Sequence, residues 1–465
     1  MRLLLVLLVL VNWLFAASPV ISGNYESGTF DNGKYPLLFE MHNMTVGKGR
    51  PSFIYPSRNP VFRSDLCDSC FWKMNGDLKA SGWNIGFSGE ISTSGFVDSV
   101  DFDLSVKLNW IRESKKNFVE VDGESVHEIW DDGDNWINYT RYRGHVGYNY
   151  SWLRLELGRD AMHWGPGYYN NLTLNRQAIP YNYFSAYLDF GLFRVVSFYS
   201  KLRIDSANVY THKNDTRNLY GHRYELSVGN ATIAVNELQL IYNENNSWLF
   251  APVVPLFIEK GNYSENNNNG AISFDASYRF GRFARVYGEF FLDDMDSPIA
   301  VVKSKFLDSE WAWMIGAQIS HDFFMKSSFL QLGSVIEISR IEQLVYTHYA
   351  SYQGQMANAG FPLGGPLGPN SRTIDFLMYG KLIQRNGDIW IASLKQEFLW
   401  KGNNYGSQLN ENIRQGGVVE KREYLGGAKM KYRMTTTLAY ESFHWGASAD
   451  FGYDVESCVN VWVKW

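Results

Sequence analysis

Residues 457–465 read "SCVNVWVKW". Val459, Val461, Val463 and Trp465 occupy one set of alternate positions, and Cys458, Asn460, Trp462 and Lys464 occupy the other. A period of two with one apolar face predicts a β-strand. Residues 443–453 repeat the pattern, with Phe443, Trp445, Ala447, Ala449, Phe451 and Tyr453 against His444, Gly446, Ser448, Asp450 and Gly452. Residues 427–438 repeat it again, setting Met430, Tyr432, Met434 and Leu438 against Lys429, Lys431, Arg433 and Thr435. Three basic residues on one strand face cannot lie unpaired in a dry core, so that face meets water.

A soluble sandwich and a membrane barrel both alternate in this way, and three other features separate them. Connections in the second half of the chain alternate in length. "FGRF" (280–283), "HDFFMKS" (321–327), "RNGD" (385–388) and "AYESF" (439–443) are short, whereas those near 294–310, 342–372 and 401–426 are long. Outer-membrane barrels have short periplasmic turns and long external loops, and Asn-Gly suits a tight hairpin turn. Trp311, Trp313, Trp390 and Trp400 fall near strand ends on the expected outer face, where interface anchors belong. An aromatic residue closing an alternating final strand resembles the signal that such barrels present to their assembly machinery.

The same reading places strands near 82–91, 101–111, 137–148, 152–158, 183–189, 193–203, 221–228, 231–242, 271–280, 285–293, 311–320, 328–341, 373–384, 388–400, 427–438, 443–453 and 457–465. Single-chain bacterial barrels have an even number of strands. The seventeen found here therefore predict a further strand between residues 35 and 76, for an antiparallel transmembrane β-barrel of about eighteen strands, with sixteen as the alternative.

Of the 465 residues, 45% are hydrophobic and 16% aromatic, and the formal charge is -5, a balance with no basic footprint for nucleic acid. Arg2, the apolar run "LLLVLLVLVNWLFA" and the small residues Ala16, Ala17 and Ser18 predict a cleaved leader over 1–17. Residues 18–60 alternate poorly and are expected to form a periplasmic extension or plug, with the barrel spanning 61–465. Cys67 and Cys70, in "CDSC", are candidates for a small structural disulfide, which leaves Cys458 as an odd thiol. The sequence lacks the common hydrolase and nucleotide-binding motifs, so neither an enzyme nor a metal or other cofactor is expected.

If the C-terminus is periplasmic, "WLRLELG" (152–158) runs outward, and "GRDAMHWGPGYYNNLTL" (158–174) then lies at the outer rim. "AGFPLGGPLGPNS" (359–371) follows another outward strand. Sugar rings offer apolar faces edged with hydroxyls, so a glycan site needs flat aromatic groups beside amides and charges. Trp164, Tyr168 and Tyr169 are candidate platforms, with Arg159, His163, Asn170, Asn171 and Asn175 as hydrogen-bond partners. The same aromatic groups equally fit a plug in the barrel mouth or a place in the girdle. Glu156, Arg285, Glu289 and Asp293 join Lys429, Lys431 and Arg433 as charged lumen residues, expected to form structural ion pairs across the lumen.

The run "GRDAMHWGPGYYNNLTLNRQAIPY" (158–181), then "RVYGEFFLDD" (285–294) and "GFPLGGPLGPNS" (360–371), resemble in that order the Wzi capsule-assembly family. The resemblance spans about residues 140–375. It implies an outer-membrane barrel lectin with the strand count obtained from parity, attaching capsular polysaccharide to the cell. Arg159, Trp164, Gly165, Pro166, Gly167 and Asn175 would then occupy a motif typical of the family. The low-complexity stretch "GNYSENNNNG" (261–270) and an N-terminal region without a clear helical bundle depart from the family. The expected partners are a capsular or other surface polysaccharide, outer-membrane lipids and the barrel assembly machinery, with the protein a monomer in the bacterial outer membrane. The alternatives are a porin-like channel for sugars or small solutes, and a purely structural barrel.

Overall fold

The computed structural model describes residues 71–81, 84–97, 100–112, 130–131, 136–150, 152–204, 215–244, 247–252, 255–256, 268–280, 283–293, 310–325, 328–348, 353–384, 388–411, 423–442, 445–453 and 457–464. The expected leader, the segment 18–60 and the Cys67–Cys70 pair lie outside them.

The chain opens with β1 (Phe71–Ser81), β2 (Asn84–Val97), β3 (Val100–Arg112), the short β4 (Trp130–Asp131), β5 (Trp136–Tyr150), β6 (Leu153–Asp160) and β7 (Tyr181–Asp189). It continues through β8 (Phe193–Leu202), β9 (Arg217–Val228), β10 (Ala231–Tyr242), β11 (Asn268–Phe280), β12 (Ala284–Asp293), β13 (Glu310–Met325) and β14 (Ser328–Ile341). After a two-residue hairpin of β15 (Ala357–Asn358) and β16 (Phe361–Pro362) come β17 (Ser371–Gln384), β18 (Ile389–Lys401), β19 (Lys429–Glu441), β20 (Trp445–Tyr453) and β21 (Ser457–Lys464).

Among the described residues, eighteen strands have eight residues or more. Each of these pairs antiparallel with the next in sequence, and β1 pairs with β21 as well as with β2. Lys79 thus sits opposite Cys458 on one side and Gly86 on the other. The strand missing from the alternation pattern is β1, which begins inside the expected window of 35–76 and runs five residues beyond it, to the upstream edge of the first expected strand.

Side chains alternate as the pattern requires. On β12, Arg285, Tyr287, Glu289, Phe291 and Asp293 are buried on the inner face, while Val286 between the first two is 43% exposed. On β14, Glu337 is fully buried and its neighbour Ile336 is 42% exposed. Polar groups inside and apolar groups outside is the inverse of a soluble sheet.

Two expected turns prove to be strand. β13 runs on through Met325, and β19 through Glu441. The pairing with β14 continues to Met325 opposite Ser328, so only residues 326 and 327 separate β13 from β14. The long connections, including 161–180, 203–216, 243–267, 342–370 and 402–428, all leave the same end of the sheet. That end carries the candidate site.

Candidate functional site

The connection from β6 to β7 folds inward. Ala161 to Tyr168 and Asn170 to Asn175 are all buried, leaving Tyr169 half-buried, Arg176 half-buried and Gln177 exposed. Trp164 and Leu174 form an antiparallel bridge, Trp164 N–H donating to the Leu174 carbonyl at 3.0 Å. This pinches the intervening residues into a compact lobe. Gly167 N–H donates to Asn171 Oδ1 at 2.6 Å. His163 Nε2 donates to the Gly167 carbonyl at 2.9 Å, which leaves Nδ1 to accept from Asn171 Nδ2 at 3.1 Å. Burial, reinforced by the nearby positive charge of Arg176, pushes the His163 imidazole well below its ordinary pKa.

The Gly-Pro-Gly corner lets this lobe approach the wall. A Cβ on Gly165, which has φ of 115°, would lie 2.8 Å from Glu289 Oε2, and one on Gly167 would lie 2.6 Å from Met314 Cε. Side chains at either position would hold the lobe away from the strands.

Two wall carboxylates then take its backbone donors. Glu337 on β14 accepts from the N–H groups of Tyr168 (2.5 Å), Tyr169 (2.9 Å) and Asn170 (3.1 Å), and from Tyr287 Oη (2.8 Å). Glu289 on β12 accepts from Leu172 N–H (2.8 Å), Thr173 N–H (2.9 Å) and Thr173 Oγ1 (2.5 Å). Arg285 donates to the Pro166 carbonyl at 2.6 Å, and Asn170 Nδ2 to Asp375 at 2.6 Å. Buried loop backbone must find such partners, because an orphaned donor costs roughly 1–3 kcal/mol.

The acidic residues expected to pair across the lumen have other partners. Glu289 is engaged by the lobe. Asp293 accepts from Tyr346 N–H. Glu156 pairs with Arg154 of its own strand at 2.5 Å and accepts from Tyr183 Oη. Lys429 and Lys431 are exposed and Arg433 is half-buried.

The connection 342–370 forms a second layer over the first. Tyr346 Oη donates to the Leu172 carbonyl at 2.7 Å and accepts from Gly365 N–H at 2.9 Å. Asn175 N–H donates to the Leu363 carbonyl at 2.7 Å. Residues 402–428 tie in through Asn370, which accepts from Leu425 N–H at 2.7 Å and donates to Ser407 Oγ at 2.8 Å.

Trp164, Tyr168, Leu172 and Leu174 belong to one apolar cluster with the wall residues Phe198, Tyr287, Met314 and Val335. Trp164 meets Phe198 edge-on, with centroids 5.1 Å apart. Trp164 and Tyr168 are therefore buried between lobe and wall and do not lie at the surface as platforms. Extracting Trp164 to stack on a sugar would forfeit about 3–5 kcal/mol of packing, which is roughly two to four orders of magnitude in affinity. His163, Asn171 and Asn175 are internal to the lobe. Tyr169 keeps an open edge and lies under Lys395 Nζ, 4.1 Å from its ring centre. Arg159 sits on the outward side of β6, over the exposed Tyr142 ring at 4.7 Å. Among the expected ligand residues, only these two retain exposure.

Glu337 and Asp375 were not among the candidates. Each is the one acidic residue of its strand and holds an inward position. Among the described residues, no group of three or more His, Cys, Asp or Glu side chains is placed to hold a metal ion.

No protein-family model matches this chain, and no curated protein matches it. Solved structures do. Wzi of Escherichia coli, described as an outer-membrane protein involved in group 1 capsule assembly and a carbohydrate-binding β-barrel, superposes with a TM-score of 0.52 at 12% identity, covering 85% of this chain and 84% of that one. OpdK of Pseudomonas aeruginosa with vanillate gives a TM-score of 0.38 at 10% identity, with 85% and 98% covered. OprD of the same organism gives 0.37 at 9% identity, with 85% and 94% covered. The Wzi match gives this chain the fold of outer-membrane β-barrels.

Proposed function

We propose that this protein is a bacterial outer-membrane barrel, stoppered by its own connections, that retains a surface polysaccharide at its outer end. The observation that carries the non-channel half of this reading is the lobe 161–175, clamped to two wall carboxylates and overlaid by a second connection. An open pore for solutes has no use for a packed apolar cluster in its lumen. The ring of antiparallel pairing and the outward apolar faces support a membrane-spanning wall.

The polysaccharide half draws support from the likeness to Wzi, which is described as carbohydrate-binding, and from groups beside the lobe that keep some exposure. Tyr169, Arg176 and Gln177 supply a ring edge, a guanidinium and an amide. Lys429 and Lys431, exposed on β19, supply positive charge. Together these suit a glycan carrying carboxylates or other anionic substituents.

The test uses a deletion strain complemented with wild type or with Lys429→Glu plus Lys431→Glu. Wild type is expected to restore cell-associated polysaccharide, and the variant is expected to shed it while inserting normally. In planar bilayers wild type should be electrically quiet. Steady large conductance together with unchanged polysaccharide retention in the deletion strain would overturn the proposal.

A further inference from the structure

The outer wall carries a second feature that plugging does not explain. Arg340 and Arg372 stand directly opposite each other across β14 and β17. Both point outward, since the flanking Ser339, Ile341, Ser371 and Thr373 are buried on the inner side. Arg340 is one residue from the end of β14, and Arg372 one residue from the start of β17, at the edge from which the long connections leave. Below them on the same outward face lie Ile338 opposite Ile374, then Ile336 opposite Phe376. The two guanidiniums therefore cap an apolar band at its outer margin.

Aromatic rings hold them there. Arg340 Cζ lies 3.9 Å from the centre of the Tyr424 ring and 5.4 Å from that of Trp311, and Arg372 Cζ lies 5.6 Å from that of Trp400. Such contacts fix the plane of a guanidinium while leaving its edge free to donate. Arg340 Nε donates to Glu342 at 2.5 Å, which offsets one charge. Among the described residues, the Arg372 guanidinium makes the ring contact and no hydrogen bond or ion pair.

Like charges directly opposite on a sheet repel. Two forked donors side by side at the margin of an apolar band, with one net positive charge, match a phosphate, which accepts paired N–H groups. The apolar ladder beneath selects the source of that phosphate, because acyl chains can lie along Ile336, Ile338, Ile374 and Phe376 while the headgroup stays at the rim. We propose that Arg340 and Arg372 form a binding site for the phosphorylated headgroup of an outer-leaflet glycolipid, on the outer wall and separate from the plugged mouth. This rests on the membrane-barrel reading above.

The experiment takes the purified full chain in lipid nanodiscs and measures retained glycolipid by native mass spectrometry. The probes are lipid A bearing both phosphates, its dephosphorylated form, and inorganic phosphate as competitor. Wild type should prefer the phosphorylated form by about ten-fold or more, the worth of one charge-assisted contact. Arg340→Gln with Arg372→Gln should lose that preference, whereas Arg340→Lys with Arg372→Lys should keep part of it. Equal retention of both forms by inserted wild type, unchanged preference in the Gln variant, or full displacement by millimolar inorganic phosphate would each overturn the site alone. Failure of wild type to insert into nanodiscs would overturn the membrane reading on which it rests.

Discussion

Replacing Glu337 with Gln tests whether the wall holds the plug or merely surrounds it. Glu337 accepts from five donors, with Tyr168 N–H and Tyr287 Oη on one oxygen and Tyr169 N–H, Asn170 N–H and Asn170 Nδ2 on the other. A carboxamide in either orientation keeps one acceptor and turns an NH2 group against the remaining donors. Two or three donors are then stranded, at about 1–3 kcal/mol each when buried. Water from the open side of the lumen can reach some of them, so the net loss is set at roughly 2–4 kcal/mol. The amides of residues 168–170 should then exchange hydrogen about 30- to 1,000-fold faster, since protection falls ten-fold per 1.4 kcal/mol. Exchange mass spectrometry on the membrane-reconstituted protein reads this directly. Glu397→Gln is the control. Its partly exposed side chain accepts from Lys395 at 2.7 Å, and such a pair contributes at most about 1 kcal/mol. Equal protection in Glu337→Gln and wild type would refute the clamp, because the lobe would then be held by packing alone.

Two further outcomes follow from the same geometry. His163 is held neutral in the lobe, with its pKa depressed by burial, whereas a released histidine titrates near 6.5. The released state therefore binds more protons below about pH 6.5, and the stability this group contributes is present above that value and is lost as pH falls toward the depressed native pKa. The protection of residues 161–175, taken as exchange relative to the intrinsic rate at each pH, should fall as pH is lowered from about 8 to 5 in wild type and show a flatter profile in His163→Gln; identical profiles would remove His163 from the linkage. Gly364→Ala places a Cβ 1.9 Å from the Leu172 carbonyl oxygen and 2.5 Å from Tyr346 Oη. It should part the two layers at a cost of about 1–3 kcal/mol or more, seen as lowered resistance of the 342–370 connection to protease, and unchanged resistance would count against the stacked arrangement.

The wall was legible in the sequence because its code is local. Lys429, Lys431 and Arg433 against Met430, Tyr432 and Met434 separate the two faces of a strand within six residues. β1 escaped notice because "FWKMNGDLKAS" mixes Gly76 and Asp77 into its centre, which blunts a pattern read by hydropathy. The plug was only half legible. Its aromatic and amide content fits a glycan platform and a packed stopper equally, and the choice between them is made by Glu289 and Glu337, more than a hundred residues away. A carboxylate at an inward position does not announce in sequence whether it will meet a lysine or a row of backbone N–H groups. Here the lobe supplied the N–H groups.

That distance has a consequence for how the molecule is made. The lobe joins β6 to β7, yet its anchors on β12, β14 and β17 come 116 to 205 residues from the groups they bind. Contacts of such long range form only after the intervening chain has been ordered. The lobe cannot settle on a half-built wall, because the carboxylates that receive it belong to strands added later. Ordering of residues 161–175 is therefore a closing event in assembly, and a protected amide at Asn170 is a record that the strands bearing Glu337 and Asp375 have taken their places.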